Sequence, residues 1–235
     1  MKMFLSDLDG TLMTAAENRI AFRVLDAISA VQAKGIPFVV ASGRAISELW
    51  RLFEPLTEKL LFVACDGALI FEGEKLIYEA PIQNLAQFNK EETLLLQGKY
   101  ITYVKGQNAF VREVKLHYGG HAIEFSDVSE IEEPIYKAVV YKPQFEAQDV
   151  NRVYGDARIT EFTAKGIDKG SATKFLLSRY GIDKAEAMAF GDNTNDLPML
   201  RSVENSVAVY NAKHAVQSVC KYIADDIVKT MQEHI

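Results

Sequence analysis

Four short apolar runs, each stopped by a turn rich in Asp, Ser and Gly, constrain this chain more than any other feature. They are Met3–Ser6 before Asp7-Leu-Asp-Gly-Thr11, Ile36–Ala41 before Ser42-Gly-Arg44, Leu60–Cys65 before Asp66-Gly67, and Ala187–Phe190 before Gly191-Asp192. The runs are apolar on both faces, as strands buried inside a parallel sheet must be. Helical periodicity fills the gaps: Ile20, Val24, Leu25, Ile28 and Val31 recur at helical spacing before Gly35, and Ala45–Phe53 follows the second run. Strand, helix, strand in this rhythm predicts right-handed crossovers and an α/β sheet with helices on both faces.

The rhythm breaks near Glu79-Ala80-Pro81. A helical-looking segment to about Gln97 precedes stretches that alternate like half-exposed antiparallel strands: Tyr100–Val104, Ala109–Val114, Lys137–Lys142 and Arg158–Thr163, with Phe145–Val153 reading as helical. It returns after Gly166 with helix Lys169–Tyr180, helix Asp196–Ser202, strand Ser206–Val209 and helix Lys213–Val219. The expected organisation is a discontinuous core, residues 1–80 and 164–235, carrying an α+β insert over 81–163.

Composition excludes several classes. With 26 Lys+Arg against 32 Asp+Glu the formal charge is −6, which gives no electrostatic footprint for nucleic acid or an anionic membrane. The longest stretch free of charged side chains, Gly35–Gly43, is nine residues, far short of a bilayer span. Asp7 interrupts the first apolar run, unlike a secretory signal, and the two cysteines have neither zinc nor redox-pair spacing. A cytoplasmic protein acting on a small molecule is the expectation; oligomeric state is not legible.

In an open parallel sheet, ligands bind beyond the carboxyl ends of the strands. There the pattern delivers Asp7, Asp9, Ser42, Arg44, Asp66, Asp192, Asn195 and Asp196 to one rim. Carboxylates that converge repel one another unless a cation sits among them, and an oxygen-only donor set suits Mg²⁺. Taken singly, each Asp-Gly pair is an ordinary turn, Lys169 an ordinary first-turn lysine, and Asp192 with Asp196 a helix-start charge pattern.

Taken together, Asp7-Leu-Asp-Gly-Thr11, Ser42-Gly-Arg44, Lys169-Gly170 and Gly191-Asp-Asn-Thr-Asn-Asp196 resemble the four ordered motifs of the haloacid dehalogenase superfamily. The insert resembles the larger cap of its Cof-type phosphatase branch. The resemblance spans essentially the whole chain and implies a Rossmann-like core with an inserted cap. It implies a Mg²⁺-dependent phosphatase of small phosphorylated metabolites, sugar phosphates or a phosphorylated cofactor, working through an aspartyl-phosphate. Asp7 would be the nucleophile and Asp9 the general acid and base. Ser42, with the Leu8, Asp9 and Gly43 backbone N–H groups, would hold phosphoryl oxygens; Lys169 would neutralise charge, and Asn195 would reach the phosphoryl group. Asp7, the Asp9 carbonyl and Asp192 would hold Mg²⁺, with Asp196 on a bound water. Gly10 would allow the turn and Thr11 fix it.

One position departs from the branch: its usual Asn-Gly-Ala is Asp66-Gly67-Ala68 here, and a carboxylate cannot donate a hydrogen bond as Asn does. His117 and His121 flank Gly119-Gly120, which should break any helix between them, so both read as loop residues. The insert should act as a lid that sets specificity, with Tyr103, Arg112, His117 and Lys142 as candidates, each equally explicable as part of a solvated sheet face. A phosphomutase like one phosphomannomutase family is the alternative enzyme, disfavoured because the insert shows no cationic cluster. A binding module without turnover is the alternative outside enzymes, disfavoured by the intact motif residues.

Overall fold

The computed structural model describes residues 1–14, 19–118 and 121–235. The chain divides into two compact units: residues 1–78 with 168–235, and residues 79–167.

The first unit opens with β1 (Met3–Asp7), α1 (Phe22–Ala33), β2 (Phe38–Ala41), α2 (Ile46–Leu52) and β3 (Leu61–Ala64). Every residue of these three strands is buried. Helix α1 buries Val24, Ala27, Ile28 and Val31, the three-to-four spacing of a single apolar stripe, and ends before Gly35. β4 (Leu69–Glu72) and β5 (Lys75–Glu79) follow.

The second unit contains β6 (Leu94–Gln97), β7 (Thr102–Lys105), α3 (Ala109–Tyr118), β8 (Ala122–Glu124), β9 (Lys137–Val140), β10 (Val150–Gly155) and β11 (Thr160–Ala164). The chain then returns to the first unit through α4 (Lys169–Tyr180), β12 (Ala187–Gly191), α5 (Leu197–Leu200), β13 (Asn205–Val209), α6 (His214–Gln217), β14 (Tyr222–Ala224) and α7 (Ile227–Glu233).

The first unit's sheet runs β14-β13-β12-β1-β2-β3-β4-β5, with β1 at its centre beside β12 and β2. Pairing is parallel from β14 to β3. Leu5, Val39, Val63 and Ala189 share one face with Ala172, Leu176 and Met199 of α4 and α5. Helices α1 and α2 pack against β2 and β3, and Phe4 stacks on Phe190 on the face away from α4. This is the α/β architecture expected. One edge departs from it, because β4 is antiparallel to β3. The turn Cys65–Gly67 reverses the chain directly and leaves no length for a helical crossover.

In the second unit six strands run β10-β11-β9-β6-β7-β8. Neighbouring strands pair antiparallel except β7 with β8, which α3 connects. Three sequence expectations are corrected here. Ala109–Val114 is helical, not a strand: Asn108 Oδ1 accepts the Val111 N–H at 3.0 Å, an N-cap bond, and Val111 and Val114 bury one stripe. The stretch read as a helix to Gln97 ends in β6, whose Leu95 faces one apolar cluster while Leu94 and Leu96 face another. Burial on both faces produces a continuous apolar run that periodicity cannot distinguish from a helix. Phe145–Val153 is not a helix either, since Gln144 and Asp149 adopt φ of 55° and 53° and β10 begins at Val150. Within the described residues, no helix is long and apolar enough to cross a membrane.

Candidate active site

Because β1 lies at the centre of the sheet, its carboxyl end is flanked by the exits of β2 and β12, and Asp7 is its last residue. The chain then turns tightly: the Leu8 carbonyl accepts the N–H groups of Thr11, Leu12 and Met13. Gly10 sits at φ +93°, and a Cβ there would lie 2.4 Å from Asp192 Oδ2, so the turn admits glycine for both reasons. The Thr11 hydroxyl donates to Asp192 Oδ1 at 3.2 Å and so links this turn to the loop after β12.

Helix α4 brings in the cation. Its N-cap Asp168 accepts the Ser171 N–H at 2.7 Å, and the Ser171 hydroxyl accepts the Asp168 N–H in return. This fixes Lys169 in the first turn, where it is 1% exposed. Its ammonium donates to Asp7 Oδ1 at 2.5 Å and to Asp196 Oδ1 at 2.7 Å. Asp196, fully buried, uses its other oxygen to accept the N–H groups of Asp192 and Asn193. It thus ties the loop after β12 to Lys169. Asp7 Oδ2 is buried and has no hydrogen-bond partner among the described residues.

The electrostatics follow from this packing. Asp7, Asp192 and Asp196 each place an oxygen within 4.8 Å of the others', and Lys169 is the ammonium bonded among them. Burial works against the Lys169 charge, but Asp196, Asp7 and Asp66 outweigh it and hold the group well above its ordinary value. Burial is also the main cause that pushes the Asp7 carboxyl well above the usual range; Asp196 and Asp192 add to it while Lys169 opposes it. Asp192 is raised by burial and then by Asp196. Carboxylates outnumber the cation, and a hard divalent ion is the natural complement to that excess. Asp7 Oδ2 and Asp192 are the oxygens that fit it. Asp196 is the less suited donor, because both of its oxygens already accept hydrogen bonds.

Two arrangements at this rim were not legible in the sequence. Arg44 clamps Asp9 with two bonds, Nη2 to Oδ1 at 2.6 Å and Nε to Oδ2 at 2.8 Å, and also reaches Glu48 at 3.3 Å. The i,i+4 spacing of Arg44 and Glu48 was the one available signal. The second is Asn195, whose Nδ2 donates to Asp66 Oδ1 at 3.2 Å. Ser42 is buried; its hydroxyl accepts the Arg44 N–H and its carbonyl the Asp66 N–H.

The candidates in the second unit are not brought together. Tyr103 packs on the Leu94/Leu96 face and donates to Glu133 at 2.8 Å; burial and that carboxylate push its hydroxyl up to about 12. Arg112 and His117 lie on α3, which covers the opposite face, so His117 is helical and not a loop residue. His121 is exposed, and Gly119-Gly120 lie outside the described residues. Lys142 lies over the Phe145 ring.

Residues 4–229 match the haloacid dehalogenase-like hydrolase family. A 5-amino-6-(5-phospho-D-ribitylamino)uracil phosphatase of Escherichia coli is 27% identical, over 95% of this chain and 90% of that one. A haloacid dehalogenase-like hydrolase from B. subtilis superposes with a TM-score of 0.87 at 21% identity, covering both chains fully. The subclass IIB sugar phosphatase BT4131 superposes at 0.85 with 23% identity, over 99% of this chain and 98% of that one.

Proposed function

This chain belongs to the haloacid dehalogenase-like hydrolases, and from that premise we propose that it is a Mg²⁺-dependent phosphomonoesterase with Asp7 as nucleophile. The observation that carries the reading is the Asp7 carboxylate itself. One oxygen is fixed by a buried lysine, and the other is buried, without a hydrogen-bond partner among the described residues, and beside Asp192. A carboxylate held this way is pre-aligned and stripped of water, as a nucleophile toward phosphorus needs to be.

In the first half-reaction Asp7 attacks phosphorus, the bond from phosphorus to the ester oxygen breaks, and Asp9 gives its proton to the leaving alkoxide. In the second, Asp9 takes a proton from water, the resulting hydroxide attacks the same phosphorus, and the Asp7–phosphorus bond breaks to restore the carboxylate. Arg44 orients Asp9 through its two bonds, and one of them must yield when Asp9 carries the proton. Ser42 and the backbone N–H groups of Leu8, Asp9 and Gly43 are assigned to phosphoryl oxygens, with Asn195. Lys169 neutralises charge on Asp7 and on the transferring group. Asp7, the Asp9 carbonyl and Asp192 would hold Mg²⁺, which when bound offsets the negative charge shared by phosphate and carboxylates. Asp196 positions Lys169 and the loop after β12.

Sugar phosphates and a phosphorylated cofactor are the substrate classes proposed, and leaving-group discrimination is assigned to residues 79–167. The test is a panel of phosphorylated metabolites assayed for phosphate release with Mg²⁺ and with excess EDTA. Monoesters should be hydrolysed and chelation should silence all of them. Exchanging residues 79–167 for those of another family member should reorder the panel. Full turnover in EDTA would contradict the metal assignment, and an unchanged ranking would contradict the assignment of specificity. Conversion of a hexose phosphate with added hexose bisphosphate, without phosphate release, would make it a mutase.

A further inference from the structure

Asp66 is the residue at which this chain departs from the motif pattern, and it lies at a junction. Its backbone N–H donates to the Ser42 carbonyl, and its side chain accepts from Asn195. The following residue, Gly67, sits at φ +110°, where a Cβ would lie 2.3 Å from the Asp168 carbonyl at the start of α4. Asp66 itself is 1% exposed and adopts φ 52°, ψ 32°, a left-handed conformation that Asp and Asn tolerate better than other side chains. The loops after β2, β3 and β12 and the first turn of α4 therefore meet around one buried carboxylate.

A primary amide can present either its oxygen or its nitrogen to a neighbour. A carboxylate only accepts, so it selects the nitrogen. An Asn at position 66 could equally donate to the Asn195 oxygen and leave that side chain free to reverse. With Asp66 in place, one hydrogen of Asn195 Nδ2 is committed and the amide is held in a single sense, its second hydrogen left for an acceptor such as a phosphoryl oxygen.

We propose that Asp66 is a positioning residue for phosphoryl binding, acting through Asn195 by fixing the orientation of its amide. This rests on the assignment of Asn195 to the phosphoryl group made above. Asp66 does not touch the substrate; it removes the non-productive amide orientation, so its contribution appears only when Asn195 is present. A charge effect through Lys169, which also feels Asp66, would operate whatever stands at 195.

The experiment is a double-mutant cycle on kcat and KM for p-nitrophenyl phosphate with Mg²⁺, using Asp66→Ala, Asn195→Ala and the double variant. Asn195→Ala, which deletes a hydrogen bond to the phosphoryl group, should lower kcat/KM by ~30-fold. Asp66→Ala, which only lets that bond misalign, should lower it by ~10-fold, and the double variant should be no worse than Asn195→Ala alone. Asp66→Asn keeps the shape, the left-handed backbone and an acceptor, so it should recover to within ~3-fold of the parent, the cost of two competing amide orientations. It also keeps the cycle testable if Asp66→Ala fails to fold: paired with Asn195→Ala, its small effect should vanish. Effects of Asp66 that multiply with those of Asn195 would overturn the proposal, as would Asp66→Asn more active than the parent. Absence of turnover in the unmodified protein would instead be a failure of the phosphatase reading, seen before any variant is made.

Discussion

Both units bury a lysine, and they do so to different ends. In the first, Lys169 is wholly enclosed and faces Asp7 and Asp196, with Asp192 close by. In the second, Lys137, with its side chain 4% exposed, pairs with Glu161 at 2.6 Å across neighbouring strands. That ion pair joins β9 to β11. The cluster around Lys169 has surplus carboxylates instead, and it is most stable when something positive joins it. Burial alone therefore does not mark a reactive site; burial with uncompensated charge and an atom unpaired among the described residues, Asp7 Oδ2, does.

Asp7→Asn should sharpen that contrast most. Turnover should fall by ~10³-fold or more, since the amide cannot attack phosphorus. Stability should move the other way. The Asp7 carboxyl is raised in the folded state, chiefly by burial, so its ionised form at neutral pH is disfavoured there, and stability is lost as pH rises from the ordinary carboxylate range through that raised value. Removing the charge should therefore leave the melting temperature in EDTA equal to or above that of the parent. A clear drop would mean that the charges of the cluster are already balanced.

The converse variant is Lys137→Met, which removes the ammonium paired with the mostly buried Glu161. It should cost about 3–5 kcal/mol by chemical denaturation, and Lys137→Met with Glu161→Leu should recover most of that. Turnover of p-nitrophenyl phosphate per folded molecule should change by no more than ~2-fold, because the residues assigned to the chemical step all belong to the first unit. A single variant as stable as the parent would mean that the pair does not hold β9 against β11.

The first unit was legible because its physics is local. A strand buried on both faces must be apolar throughout, and the chain must turn polar where it leaves the sheet, so Asp7, Ser42 and Asp192 declare themselves at strand ends. Lys169 was legible by its motif, and the structure brings it to Asp7 from 162 positions away. The clamp of Arg44 on Asp9 and the bond from Asn195 to Asp66 were not legible, because both depend on backbone conformation between elements, including φ values such as the 52° of Asp66. The second unit misled for a related reason. Its short strands sit between two apolar clusters, so Leu94–Gln97 carries the unbroken apolar signal of a helix, while Ala109–Val114 hides a helix behind β-branched valines.

If Asp7 is the nucleophile, it becomes covalently phosphorylated during turnover. An acyl phosphate is reduced by borohydride, whereas a free carboxylate is not, so acid quenching during steady-state turnover, followed by reduction and peptide mass spectrometry, reads the nucleophile directly. With p-nitrophenyl phosphate and Mg²⁺, homoserine is expected at position 7, absent without substrate, and more abundant in Asp9→Asn, where this leaving group departs without a proton while the second half-reaction lacks its base. Reduction at another carboxylate, or no reduction at any residue while phosphate is still being released by the Asp9→Asn protein, would contradict it.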